Sequence, residues 1–562
     1  MAAGVTPPDQ DHRRHDGVAG SGDSGSVVGD SLAVAGWTLV SRFTGFLRAV
    51  AIAAVLGPTY LGNTFQAVNV LPNLTFYFLT GSLFTNLLVP PLVRRIQARD
   101  AGGAERLTGG FLGTTLVALT IVTMATVAAG PLVLGLLSAG VDSPAVAAAQ
   151  LRTGWPLLAM LMPQVVLYAI AGTAGAAMNA HGRFALAAGA PALENIGMIV
   201  TLLVSALIFA TGGDVERVTL GQLLLLGLGT TASVGLHAAV LWWGARHVGV
   251  RVAPSAGWRD PQLRGLLRRA VSSVGYTGLE SLRLCGVLVV ANSVPGGVVA
   301  FLLALNFVYL AAAIGARPVA VALLPQLSRL HHEGRAATFR DELLRGLSTT
   351  FLLTVPAVTA YIVLAAPLAR AVAFGEMATG AATELVAVSL AAVAVAVLGE
   401  SVIVFCTHAC YARDDARLPL RGMMIRTATS LALLPVALSL PGGAAALAGL
   451  GLALVAGDVA AAWYLLRVVR AALPAGGPAL TPPFLRALAA SLLMAGPALL
   501  VTTHLPGLLP GPLSQLTAVA IAALVGMGVF VAVERAMGAP ELSALTQALS
   551  GFRRRPRPAA TR

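Results

Sequence analysis

The feature that most limits the fold of this 562-residue chain is a succession of fourteen apolar runs, most of them about twenty residues long. A helix of that length crosses the hydrocarbon core of a bilayer, where lipid offers no partner to unpaired backbone groups. We therefore predict an all-α polytopic membrane protein with about fourteen transmembrane helices. The runs lie at 31–56, 64–93, 111–137, 146–174, 185–210, 219–245, 270–294, 297–325, 346–368, 383–411, 425–440, 443–466, 484–503 and 513–534.

Composition supports this class and excludes others. Hydrophobic residues make up 57% of the chain and charged residues only 11%, about half the charged fraction of a soluble protein. The net charge of +13 comes entirely from arginine, which stands mostly in short loops between the runs. That placement sets membrane orientation, so we predict no nucleic-acid partner.

The arginines also predict the orientation. The loops after even-numbered runs carry most of them, whereas the loops after odd-numbered runs are nearly bare apart from Arg217 and Arg370. The positive-inside rule therefore places both termini in the cytoplasm. An N-terminal segment rich in Gly, Ser and Asp and a C-terminal segment rich in arginine flank the runs. We predict a disordered tail and a basic topology anchor, respectively.

A weak internal repeat relates the two halves of the chain. The second run ends in LLVPPLVRR and the eighth in ALLPQLSR, at an offset of roughly 235 residues. Runs 1–6 and 7–12 thus read as two six-helix lobes with a substrate site between them. The predicted parts are a cytoplasmic tail (1–29), an N-lobe (30–245), a cytoplasmic interlobe linker (246–269), a C-lobe (270–470), a C-terminal helix pair (484–535) and a basic tail (536–562).

Two arginines, Arg42 and Arg48, stand well inside the first run. An arginine near the bilayer centre costs at least about 2.5–3.5 kcal/mol, so it normally faces a wet cavity or a partner. Six residues of helix separate the two by about 9 Å along the axis and about 120° around it. Both can therefore face one cavity and grip an extended anion such as a diphosphate. The alternative is that one or both reach the cytoplasmic interface.

Further ionisable residues lie within the apolar runs, where such groups are functional suspects. Glu280 and Arg283 are spaced i, i+3 and can neutralise each other, in a structural or a substrate-binding role. Arg317 precedes Pro318, which loosens the helix, so we predict a phosphate contact there. Glu400 and Asp458 could bind a coupling cation or proton, or only join neighbouring helices. Glu194, His237 and His408 are further candidates, and we predict that the two histidines are packing residues.

The sequence offers no sign of a catalytic or metal site. The cysteines Cys285, Cys406 and Cys410 lie in apolar runs, which implies no disulfide framework. Cys406 and Cys410 share a helix face but lack the further ligands of a structural zinc site. No phosphate-binding loop or nucleophile motif occurs, so we expect no enzyme, cofactor or metal.

Several motifs resemble the MurJ/MviN lipid II flippases of the multidrug/oligosaccharidyl-lipid/polysaccharide exporter superfamily. They are SRFTGFLR at 41–48, LPN at 71–73, GSLFTNLLVP at 81–90, NAHGRFA at 179–185, LLPQLSR at 323–329 and YARDDARLP at 411–419. The resemblance covers about residues 30–540. It implies fourteen helices, two six-helix lobes and a terminal helix pair that holds a lipid groove.

The resemblance further implies an alternating-access flippase in the bacterial cytoplasmic membrane. It would move a polyprenyl-diphosphate-linked saccharide, a lipid II-like peptidoglycan precursor, from the inner to the outer leaflet. Membrane lipids and cell-wall synthesis proteins are the expected partners. The alternatives are a paralogue that exports another amphiphile, a cation-coupled drug exporter, and a membrane scaffold that does not transport.

This chain departs from the family at several charged positions. Members of the family usually carry an acidic residue at the position of Asn63, basic residues near Thr75 and Phe76, an acidic residue near Thr80 and an arginine near Asn306. We therefore predict a diphosphate clamp of Arg42, Arg48, Arg317 and Arg283. The predicted cavity and charge partners are Glu280, Glu194, Asn63 and Asn306, with Glu400 and Asp458 as candidate cation-coupling residues.

Overall fold

The computed structural model describes residues 24–80, 84, 88–250, 252–257, 261–508 and 513–543, which form helices and short connections without a strand. Most of the predicted disordered N-terminal tail and the arginine-rich end of the basic tail lie outside these residues. So does most of the 81–90 motif. Residues 24–29, predicted to belong to the tail, instead begin the first helix, because Val27 and Val28 extend its apolar sequence.

Among the residues that the structure describes, nine helices form the N-lobe. They are α1 (Ser24–Leu56), α2 (Tyr60–Thr80), α3 (Val89–Gln97), α4 (Ala101–Ala128), α5 (Gly130–Leu137), α6 (Pro144–Leu161), α7 (Gln164–Ala180), α8 (Phe184–Ile208) and α9 (Leu220–His247). Proline explains one interruption within a run: Pro163 lacks a backbone donor and stands between α6 and α7.

Nine more helices form the C-lobe, and two close the described chain. They are α10 (Pro261–Asn292), α11 (Gly297–Ile314), α12 (Ala316–His332), α13 (Ala336–Val363), α14 (Ala365–Ala371), α15 (Gly380–Val393), α16 (Ala396–Tyr411), α17 (Arg417–Ser439), α18 (Gly443–Ala471), α19 (Thr481–His504) and α20 (Ser514–Ala536). The break between α11 and α12 falls at Gly315, which puts Pro318 in the first turn of α12, where a missing donor costs least.

The two lobes repeat the same packing. Helix α8 contacts α1 and α9, as α17 contacts α10 and α18. Helix α9 also packs on α6 and α7, as α18 packs on α15 and α16, and the α4–α7 contact recurs as α13–α16. Helices α19 and α20 lie outside the repeat and pack on α13 and α14. The predicted architecture of two lobes and a terminal helix pair is confirmed.

Each of the fourteen apolar runs overlaps a helix, which confirms the all-α polytopic class. Within the described residues, eleven helices are long and apolar enough to span a membrane, or twelve if the pair α15–α16, bent by 41°, is one span. Helices α2 and α10 are long enough but are not among these candidate spans. The count of fourteen spans therefore stays a prediction.

The lobes meet closely at one end of the bundle, which we call the sealed end, where the loops 57–59, 138–143, 209–219, 293–296 and 372–379 come together. Asn63 donates to the carbonyl of Val294 at 2.7 Å and accepts from the N–H of Val298 at 3.0 Å. Gln150 and Asn292 exchange amide hydrogen bonds of 2.9 and 3.0 Å. Each of these bonds joins the N-lobe to the C-lobe, so this end is closed.

The opposite end, which we call the arginine-rich end, holds the loop residues 98–100, 181–183, 248–250, 252–257, 333–335, 412–416 and 472–480. Here part of the interlobe linker lies against α4, where the N–H of Ser255 donates to the carbonyl of Gly109 at 2.9 Å. Gly113 lies so close to Ser255 that a Cβ there would collide with its backbone. The linker is therefore fixed to the N-lobe through glycines of α4.

Candidate functional site in the interlobe cavity

A large cavity with a volume of about 630 Å³ lies towards the arginine-rich end. Its wall combines α1, α2, α7, α8 and α9 of the N-lobe with α11 of the C-lobe. Aromatic rings and small residues make up much of the wall, with a few converging charged groups, as is usual for ligand sites. Because the opposite end is sealed, this cavity is accessible from one side of the bundle.

Both arginines of the first helix lie on the wall of this cavity. Arg42 is exposed, and Arg48 keeps 30% of its side chain exposed. Arg48 also lines a neighbouring cavity of about 160 Å³ that it shares with Asn306 and Tyr309. The helical spacing had predicted that Arg42 and Arg48 could face one cavity, and the structure places them so. Their guanidinium groups are donors suited to phosphate oxygens.

A carboxylate on α8 connects Arg48 to two other helices. Glu194 is buried and accepts a hydrogen bond of 2.9 Å from the hydroxyl of Tyr168 on α7. Its other oxygen lies 2.9 Å from Nδ1 of His237 on α9, and Arg48 approaches at 3.7 Å. His237 was expected to be a packing residue, but the structure makes it a partner of a carboxylate in the cavity wall.

The two predicted asparagines lie in different surroundings. Asn63 is fully buried, and its amide is used in the hydrogen bonds of the sealed end, away from the large cavity. The reason is that α2 begins at this end, so its first turn packs on α11. Asn306 lines the large cavity and donates to the carbonyl of Leu302 in its own helix.

The C-lobe contains a second group of charged residues centred on Arg426, a residue that was not predicted from the sequence. Arg426 on α17 is buried and lies 2.6 Å from Asp458, 2.8 Å from Glu400 and 3.3 Å from Glu280. A cavity of about 90 Å³ borders these residues. We call the six charged residues that line it the C-lobe cluster: Glu280, Arg283, Arg317, Glu400, Arg426 and Asp458.

The expected pairing of Glu280 with Arg283 along one helix is replaced by pairing between helices. Arg283 is buried and lies 2.9 Å from Asp458, whereas Glu280 pairs with Arg426. The reason is that the guanidinium of Arg426 enters between α10 and α18 and reaches both carboxylates. Arg317 is half-exposed and lies 3.5 Å from Glu400.

Three carboxylates thus face three guanidinium groups in the C-lobe cluster, which is neutral when all are ionised. Removing charges from water is tolerated when they are paired in this way. Glu400 and Asp458, the candidate cation-coupling residues, each have two arginine partners. A bound cation would compete with those fixed positive charges.

Cys406, Cys410 and His408, which were also considered from the sequence, do not line either charged cavity. Cys406 and Cys410 are buried free thiols on α16, and Nδ1 of His408 lies 2.8 Å from the carbonyl of Val404 in the same helix. Among the described residues, no three His, Cys, Asp or Glu side chains are grouped so that they could hold a metal ion.

An apolar groove lies between the terminal helix pair and the C-lobe. It has a volume of about 210 Å³ and is lined by α13, α14, α19 and α20, with Ala498, Ala522 and Gly526 providing the small side of the wall. Its walls are almost entirely hydrocarbon, which suits an acyl or isoprenoid chain.

Comparison with solved structures shows the same fold in transporters. The structure titled "Lipid II flippase MurJ, inward closed conformation" aligns with a TM-score of 0.68 and 17% identity, over 91% of this chain and 99% of that one. An inward-facing multidrug resistance transporter of the MATE family aligns with a TM-score of 0.63 and 16% identity, over 77% and 94% of the two chains.

Sequence comparison identifies the family. A probable lipid II flippase MurJ of Rhizobium meliloti is 26% identical over 412 residues, which cover 73% of this chain and 75% of the relative. The probable lipid II flippase MurJ of Vibrio cholerae is 24% identical over 413 residues, 72% and 77% of the two chains. Residues 52–510 match the family described as lipid II flippase MurJ. This chain, a multi-pass membrane protein, therefore belongs to the MurJ family of lipid II flippases.

Proposed function

We propose that this protein is a flippase that carries a polyprenyl-diphosphate-linked saccharide, of the lipid II type, from the inner to the outer leaflet of the bacterial cytoplasmic membrane. The single observation that carries the proposal is the pair Arg42 and Arg48 on the wall of a cavity closed at one end. Family membership supports the same substrate class.

Orientation follows from charge. With the arginine-rich end in the cytoplasm, as the positive-inside rule requires, both termini are cytoplasmic and the cavity opens inward. The headgroup then enters from the leaflet in which its precursor is made. The isoprenoid tail stays in lipid and along the apolar groove between the C-lobe and the terminal helices.

Transport consists of binding, rocking and release. Arg42 and Arg48 bind the diphosphate through charge-assisted hydrogen bonds. The lobes then rock about the bound headgroup, so that the hydrogen bonds of the sealed end break and the cavity opens outward. Outward movement of negative charge across an inside-negative membrane is favourable by about 2.3 kcal/mol per charge per 100 mV. Membrane potential can therefore drive the step without reaction chemistry.

Complementation tests the proposal. A bacterium depleted of its lipid II flippase should grow when it expresses this protein, and should fail to grow with Arg42→Ala/Arg48→Ala at equal membrane abundance. Arg152→Ala is the matched control, because Arg152 is an exposed arginine of α6 outside the cavity. Growth of the double variant at the wild-type rate would overturn the proposed role of the arginines.

A cation-coupled drug exporter is the second candidate, favoured by the fold shared with the MATE transporter. Such an exporter would need Glu400 or Asp458 free to bind its ion, and it would tolerate loss of Arg42 and Arg48. The arginine partners of both carboxylates argue against it. Export of a cationic dye that requires Glu400 but neither cavity arginine would favour this candidate instead.

A further inference from the structure

The carboxylate of Glu194 is shared by three donors that come from three different helices. Tyr168 and His237 hold it at 2.9 Å each, whereas Arg48 lies farther away at 3.7 Å. The side chains of Glu194 and His237 are each 10% exposed, but that of Arg48 is 30% exposed. Arg48 is therefore the partner that is held least tightly and that can most readily turn towards a ligand.

The protonation state of His237 decides how strongly Glu194 holds Arg48. When the imidazole is neutral, its Nδ1–H donates to Glu194, and Arg48 supplies the positive charge nearest to that carboxylate. When the imidazole takes up a proton at Nε2, the imidazolium compensates the carboxylate at the shorter distance. The attraction between Glu194 and Arg48 is then partly replaced, and the cavity wall gains one positive charge.

The surroundings of His237 leave few other groups to control this proton. Among the described residues, α8 presents Glu194 and α7 presents Tyr168, while α1 contributes Arg48 through the shared carboxylate. Helix α6 also packs on α9, and its ionisable residue is Arg152. That residue adjoins Thr153, which hydrogen-bonds to the carbonyl of Val215 at the sealed end. The other ionisable residues on the wall of the same cavity are Arg42, Tyr77 and Tyr309.

We propose that Glu194 and His237 form a proton-responsive positioning pair, which releases Arg48 to an anionic headgroup when His237 takes up a proton. This inference rests on the proposed function, in which Arg48 binds the diphosphate. Proton uptake by His237 then raises the affinity for the diphosphate, and diphosphate binding equally favours proton uptake. An inward-open cavity would accept substrate more readily as the pH falls.

The test uses the full-length protein in detergent and farnesyl diphosphate as the probe. Binding is measured at about pH 5.5 and about pH 8, which bracket the ordinary titration of histidine. The wild type should bind about tenfold more tightly at the lower pH. His237→Asn keeps an amide donor but cannot charge, so it should bind weakly at both pH values. Glu194→Gln no longer holds Arg48 by charge, so it should bind tightly at both.

The controls separate this inference from the proposed function. Ionisation of the probe itself is common to all variants, so the differences between variants are diagnostic. His408→Asn should keep the wild-type pH response, since that histidine contacts a carbonyl of its own helix rather than a carboxylate. Arg48→Ala should weaken binding at both pH values. The affinity for farnesyl diphosphate is expected to be high at both pH values in Glu194→Gln and low at both in His237→Asn. Either variant therefore tests the proposal by itself, provided that it elutes as a folded monodisperse protein.

Two results would overturn different claims. If the wild type, His237→Asn and Glu194→Gln all bind with the same pH response while Arg48→Ala loses binding, the positioning pair is refuted and the diphosphate site stands. If Arg48→Ala binds as tightly as the wild type, the proposed role of Arg48 fails, and the pairing around Glu194 is structural only.

Discussion

Replacing Arg426 by glutamine should destabilise the C-lobe, because Arg426 compensates the buried carboxylates of the C-lobe cluster. The guanidinium lies between 2.6 and 3.3 Å from Asp458, Glu400 and Glu280, and it is buried. Without it, three carboxylates face two guanidinium groups, so one negative charge loses its compensation. Removing one partner of a buried ion pair costs about 3–5 kcal/mol. We expect the melting temperature to fall by roughly 3–10 °C, with the smaller value if the whole chain unfolds as one unit.

The assay is thermal unfolding of the purified protein in detergent, followed by tryptophan fluorescence in sodium chloride and in choline chloride of equal ionic strength. The wild type should melt at the same temperature in both salts, since the C-lobe cluster is already neutral. Arg426→Gln should regain part of its stability in sodium, because the vacated volume beside three carboxylates suits a small hard cation.

Two further variants make the assay decisive. Arg426→Gln/Glu400→Gln restores the balance of charge and should lose the sodium effect. Arg340→Gln removes another guanidinium with several partners, which pairs with Asp341 and with two backbone carbonyls. It should lower stability with no rescue by sodium. If Arg426→Gln unfolds at the wild-type temperature, or is destabilised equally in both salts, the account of a fixed-charge cluster is refuted.

The remaining predictions concern the sealed end, the linker and the apolar groove. Asn292→Leu leaves the side-chain NH2 of Gln150 without its acceptor, whereas Oε1 of Gln150 still accepts from Ser138. The variant should lose about 1–3 kcal/mol of stability in the closed state. Faster labelling of a cysteine introduced at that end measures this loss, and unchanged labelling would contradict it. Gly113→Val should displace the linker at Ser255 and speed trypsin cleavage between residues 246 and 269. Equal cleavage rates in the variant and the wild type would contradict the proposed contact between the linker and α4. Ala522→Trp fills the groove and should abolish complementation. Leu524→Trp should not, because Leu524 is 74% exposed. Equal growth of the two variants would show that the groove takes no part in transport.

Hydropathy sufficed to predict the helices, because these depend on the bilayer, and the internal repeat sufficed to predict the two lobes. A run of about twenty apolar residues has to be helical in lipid, whatever it packs against. Arg42 and Arg48 were identified by the same argument, since a charge within such a run needs a cavity or a partner. The helical spacing of Arg42 and Arg48 is enough to predict that both can line the same cavity.

The partners of the buried charges could not be predicted in the same way. Glu194 and His237 are 43 residues apart and meet only because α8 packs on α9. Arg426 lies near the start of the run 425–440 and closely follows Arg421, so its charge was not distinguished from the arginines of the preceding loop. The signal that could have identified it is its place about two and a half turns inside α17, opposite acidic residues on α16 and α18.

The kind of polar contact differs between the inside of each lobe and the junction of the lobes. The buried ion pairs of the described residues do not cross from one lobe to the other. Arg48 pairs with Glu194 in the N-lobe, the C-lobe cluster lies in the C-lobe, and Arg486 pairs with the buried Glu534 within the terminal helix pair. The junction at the sealed end has no ion pair among the described residues. It uses neutral amides, such as Asn63 and Gln150, and an exposed hydrogen bond from the Thr211 hydroxyl to Glu376.

This division matters because the two kinds of contact resist separation differently. A neutral hydrogen bond contributes only about 0.5–1.5 kcal/mol net, since water replaces the lost partner once the groups are exposed. Breaking a buried ion pair leaves an uncompensated charge and costs several times more. Each lobe is therefore held as a rigid body, while the junction between them can open and close at modest cost. Replacing the Gln150–Asn292 pair with a Glu–Arg pair should accordingly slow transport while leaving the fold of each lobe intact. Transport at the wild-type rate would contradict this reasoning.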